Sequence, residues 1–97
     1  NRRLAGALAA EAGSRLPGYE VITELGRIPV ELRGLSDRNP VNLPPAQGVQ
    51  LELPPRVRGL SPLSPPPGPD GFSPPTRSLI EALAAVASRW SANTRPA

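Results

Sequence analysis

The sequence predicts an α/β fold in which two amphipathic helices flank a small sheet. Three observations carry that prediction. Two segments, residues 2–16 and 76–90, repeat apolar residues at helical spacing, and such stripes need a surface to cover them. Two others, residues 19–25 and 49–53, alternate in the manner of strands. Proline is concentrated between the second strand and the last helix: nine of the 15 prolines lie in residues 54–75.

In the first helix, Leu4, Leu8, Ala12 and Leu16 recur every four residues and form one stripe. Pro17-Gly18 stops it. Residues 19–25 follow, dense in β-branched side chains, with Val21, Thr23 and Leu25 alternating against Glu20, Ile22 and Glu24. Pro29 keeps residues 28–32 from being a central strand, which leaves an edge strand or one helical turn. Residues 34–47 hold the turn formers Ser36-Asp37, Asn39-Pro40 and Asn42 and read as a loop. Gly48 opens the second strand. Val49, Leu51 and Leu53 share one face of it, Gln50 and Glu52 the other, and Pro54-Pro55 closes it. Residues 60–75 read as a rigid connector, with polyproline II over 64–69. The last helix, 76–90, carries Leu79, Leu83, Val86, Ala87 and Trp90 on one stripe, widened by Ile80 and Ala84. Its start is open between Ser73 with Pro74 at the first helical position and a capping box of Ser78 with Glu81.

Composition narrows the chemistry. Among 97 residues there is no cysteine and no histidine, so thiolate and imidazole ligands are both missing, as is the commonest general base. All 11 basic residues are arginine; against 8 acids they give a net charge of +3. The charges are spread out, and a nucleic-acid partner is not expected without a basic cluster or stacking aromatics. No apolar run approaches the roughly 18 residues of a membrane span, so no membrane is expected either. Absence of cysteine fits a cytoplasmic location. With Pro and Gly making up about a quarter of the residues, little large apolar content and no disulfide, the chain reads as one part of a larger domain.

The strand at 49–53 is the candidate site. Glu52 lies near its carboxyl end, where α/β sheets face their ligands, and a carboxylate on an otherwise apolar strand has to be hydrated or partnered. A solvent-facing strand edge is the plainer alternative.

Asn42, the string Gly48-Val49-Gln50-Leu51-Glu52-Leu53 and the following Arg56 resemble the carboxyl-terminal signature of the poly-γ-glutamate hydrolase family, also described as phage-related replication proteins. Members are similar to zinc carboxypeptidases. The resemblance therefore implies a mixed sheet between helices, with zinc at the carboxyl ends of the strands. It implies Glu52 as the general base beside a metal-bound water. Gln50 would line the same face, and Arg56, Arg58 and Asn42 would bind an anionic, peptide-like substrate such as poly-γ-glutamate. The family's metal ligands belong to an amino-terminal half, so zinc is implied for the intact protein and none for this chain alone; the missing half would be a partner. Asn42-Leu43 departs from the family's frequent Asn-Arg.

Two other readings compete with this zinc-dependent γ-glutamyl amidohydrolase. One is a non-catalytic interaction segment with its polyproline stretch as ligand. The other is a replication-associated nucleic-acid-binding protein.

Overall fold

A computed structural model describes residues 1–59 and 66–93. Helix α1 runs Arg2–Arg15, a four-residue helix α2 spans Pro55–Arg58, and α3 runs Pro74–Asn93. Three single 3-10 turns, Leu25–Arg27, Val30–Leu32 and Pro40–Asn42, punctuate the long connection between α1 and α2. Among the described residues there is no β-strand.

That corrects the α/β expectation: the fold is helical. Residues 20–24 and 49–54 run unbent, without helix or turn, but neither segment forms a ladder. The first segment leads into the 3-10 turn at Leu25–Arg27. The second is bounded by a proline pair that cannot donate to a ladder. High β-propensity describes side chains suited to a pleated surface; it does not supply a neighbouring strand. The helices accordingly do not pack on a sheet. They pack on each other, α1 against α3 and α2 against α3.

Local chemistry explains each helix. Asn1 caps α1, its Oδ1 accepting from Leu4 N at 3.0 Å. Leu16 N still donates to Ala12 O at 2.8 Å, and Pro17 ends the run. Helix α2 starts on Pro55 and stops at Gly59, whose φ of 73° is left-handed and suits glycine. Helix α3 starts at Pro74, directly after Ser73, as the first of the two predicted starts has it. Thr76 Oγ1 meets Ser73 Oγ at 2.9 Å and donates to Val57 O at 2.5 Å, tying α2 to the head of α3.

The helices are antiparallel. Arg3 lies over the Trp90 ring at 5.3 Å, and Arg15 near the end of α1 reaches Glu81 at 3.3 Å. The buried core is small: Leu16, Val57, Ala82 and Val86. On α3 the buried line therefore runs through Ala82 and Val86, whereas Ala87, Ala84 and Ile80 of the predicted stripe are exposed. The predicted connector over 60–65, including the start of the polyproline stretch, lies outside the described residues.

Candidate functional site

The extended segments lie over the helical hairpin and leave an open cleft of two lobes. The first lobe, about 220 Å³, is walled by Leu8 and Ala9 of α1, Leu83 of α3, and Val21, Leu35 and Val49 of the connection. The second, about 330 Å³, extends past Leu16, Tyr19 and Leu53 to Val57. Ile22, Ile28, Leu32 and Leu51 border both lobes. An engineered apolar cavity of about 150 Å³ holds a benzene molecule, so each lobe can accept an apolar side chain.

The walls are unusually wet for apolar residues. Val21, Ile22, Leu32 and Leu51 are each about two-fifths exposed, and Leu35 is two-thirds exposed. Exposed apolar side chains that cluster along a groove are a marker of binding.

Gln50 organises the rim. Its Oε1 accepts from Asn39 Nδ2 at 2.5 Å, and its Nε2 donates to Leu32 O at 3.2 Å and Glu52 Oε1 at 3.0 Å. Gly34 allows this close approach: a Cβ built there would sit 3.1 Å from Gln50 Cβ, and its φ of 67° already favours glycine. Asn42 closes the same loop, donating to Gly34 O and Ser36 O, both at 2.7 Å. Asn39 caps the 3-10 turn at Pro40–Asn42 by accepting from Val41 N at 3.0 Å. Gly48 N donates to Val41 O at 2.7 Å, and the Asn1 amino group donates to Gly48 O at 3.0 Å. These bonds hold the segment at 49–53 to the loop and to the start of α1.

Gln50 and Asn42 thus come together, both on the first lobe. Glu52 is exposed and lies off the first lobe, but it borders the second lobe beside Gln50, which donates to it, so the predicted pair Gln50 and Glu52 is brought together there. Arg56 and Arg58 lie on α2, exposed, and border neither lobe.

Two residues the sequence did not single out flank the first lobe: Arg2 and Arg33. Arg33 Nε donates to Ile28 O at 2.9 Å, which fixes the side chain. Its terminal nitrogens, and all of the Arg2 guanidinium, make no ion pair among the described residues. No carboxylate lines that lobe. The polar atoms there are arginine, amide and hydroxyl groups, a donor-rich and basic rim. Nothing in local spacing brings residues 2 and 33 together; only the tertiary fold does.

The resemblance implies zinc for an intact protein and no metal ligands in this chain. Among the described residues no three His, Cys, Asp or Glu side chains converge on one point, and the closest partner of Glu52 is an amide. No helix among them is long and apolar enough to cross a membrane. Comparison with family models, curated proteins and solved structures finds no match to this chain. The hydrolase resemblance accordingly stands on the sequence string alone.

Proposed function

We propose that this chain is a binding module for an anionic peptide segment that carries apolar side chains. The supporting observation is the first lobe: apolar walls left partly wet, two arginines at the rim and no carboxylate in the lining. Seating apolar side chains removes that surface from water, worth roughly 25 cal/mol per Å² before the cost of ordering. Carboxylates of the ligand pair with Arg2 and Arg33, whose planar guanidinium groups suit bidentate contact.

This ligand class overlaps with the one the sequence resemblance implies, an anionic peptide-like chain. Hydrolysis of γ-glutamyl bonds, with Glu52 as base, is a proposal for a longer protein that supplies the metal ligands. It draws no support from the arrangement around Glu52.

Calorimetric titration tests the binding reading with three probes: a short peptide alternating leucine and glutamate, its leucine–lysine counterpart, and poly-γ-glutamate. The leucine–glutamate peptide binds, more weakly as salt screens the arginines. The lysine peptide does not, and poly-γ-glutamate, lacking apolar side chains, binds less tightly. Equal binding of the glutamate and lysine peptides, or none by the former, contradicts the proposal.

A further inference from the structure

The apolar lobe says what the ligand's side chains meet; the backbone of residues 49–53 says how its main chain is held. Among the described residues, the N–H and C=O groups of 49–53 make no hydrogen bond, and those of 20–23 make none. Backbone groups of this kind are normally paired within a folded protein. Here they have no partner among the described residues and lie along a cleft wall, in segments that run unbent.

The segment at 49–53 is also held in place before any ligand arrives. Gln50 is anchored to Asn39 and to Leu32 O, Gly48 is bonded on both its N–H and its C=O, and Pro54 terminates the run. An anchored segment without helix, turn or bend, with unpaired backbone and apolar side chains at Val49 and Leu51, is a template for strand addition. The segment at 20–23 lies on the same cleft but, among the described residues, has no comparable anchor: only the side chain of Glu20 is tied, to Arg27.

We infer that the anionic peptide binds as an extended strand along residues 49–53, its main chain hydrogen-bonded to theirs. This rests on the binding function proposed above and adds the mode of recognition. The occupant is an extended segment of another polypeptide with alternating apolar and acidic residues. Its apolar face fills the lobe; alternation puts the carboxylates on the outward face, where they meet the Arg2 and Arg33 guanidinium groups at the rim, not inside the lobe. Charge decides against a second copy of this chain's own 49–53 segment: its one acid, Glu52, is bonded to Gln50. The mixed sheet expected from the sequence is not restored by this; the chain supplies one edge, and the ligand supplies the pairing.

In an extended pair only every second residue directs its N–H and C=O toward the partner strand. The test uses two versions of the leucine–glutamate peptide, each N-methylated on one alternate set of amides. Methylation removes donors without altering charge or apolar side chains. One version binds about tenfold or more weakly, because several net hydrogen bonds are lost; the other stays within about twofold of the unmodified peptide. Two versions equally as tight as the parent overturn the strand-addition inference and leave the cleft-binding proposal intact. Failure of the unmodified peptide to bind overturns both. A stable dimer of the chain that excludes the peptide overturns the assignment of the occupant.

Discussion

Glu11 of α1 accepts a hydrogen bond from Arg89 of α3 at 2.6 Å, and the same carboxylate takes Arg15 Nε at 3.3 Å. One acid therefore joins the two long helices and steadies the end of its own. Arg15 continues across to Glu81, and Arg77 bonds both Glu81 and Asp70. The hairpin that carries the cleft is laced on one side by these ions and on the other by the small core around Val86.

The first prediction concerns pH. The Arg89 guanidinium, then that of Arg15, holds the Glu11 carboxyl below the usual glutamate range. A depressed folded-state value means stability that is complete above the unfolded value, about 4.3. That stability is lost as pH falls through the folded value. Helical melts followed by circular dichroism should keep a constant midpoint from neutral pH to about 5 and fall below it. In Glu11→Gln the share of the acid loss due to this carboxyl disappears, and a fall as steep as in the parent contradicts the role.

A second prediction separates core from surface. Val86 is 2% exposed, whereas Val30 is 72% exposed. Val86→Ala should cost about 1–3 kcal/mol, the loss of two buried methyl groups plus the cavity they leave. Val30→Ala should stay within about 0.5 kcal/mol of the parent. Urea titration of both variants checks the difference.

A third concerns the loop that positions the extended segment. A Cβ at Gly48 would fall 2.9 Å from Val41 Cγ2 and 3.2 Å from Val41 O. Gly48→Ala should therefore destabilise the chain by about 1–3 kcal/mol as neighbours shift. Shortening the neighbour in Val41→Ala should relieve part of that cost in the double variant. Strict additivity of the two substitutions in thermal melts would argue against the contact.

The two long helices were legible in the sequence to within about three residues at each end, whereas the short helix at Pro55–Arg58 was not read at all. Their apolar period, Pro17 after α1 and Pro74 at the head of α3 are local signals, and local signals fix local structure. The proline pair that closes the second extended segment was legible for the same reason, but the first segment was read too long: Tyr19 sits in a bend and Leu25 opens a 3-10 turn. Pairing was not legible. Val21 and Leu51 have the side chains of strand residues, yet pairing depends on a neighbour that no local pattern specifies. Of the candidate site, Gln50 and Asn42 were found together because both belong to one Asn-rich turn and the segment after it. Arg2 and Arg33 escaped notice because only the packing of α1 beneath the loop makes them neighbours of one lobe. The buried line of α3 includes Ala82, 1% exposed, a small side chain whose hydropathy gives little signal in the sequence.

A fourth prediction distinguishes the binding and hydrolytic readings at one residue. Glu52 is exposed and lies outside the first lobe. Glu52→Gln should leave the fold intact and should not weaken binding of the leucine–glutamate peptide, since it removes neither an arginine nor an apolar wall and takes away a like charge beside the bound strand. In a longer protein with γ-glutamyl hydrolase activity, the same substitution should lower turnover by about 10²–10⁴, the usual effect of losing a general base.

The most direct measurement is a titration of isotopically labelled chain with the leucine–glutamate peptide, followed by amide chemical shifts. The account predicts that the largest changes fall on Val21, Leu35, Val49 and Leu51, with weaker ones at Arg2 and Arg33, and that Arg2→Glu combined with Arg33→Glu abolishes them. Changes centred instead on α2, around Arg56 and Arg58, or shifts that persist unchanged in the double variant, would contradict a peptide-binding cleft between the helices and the extended segments.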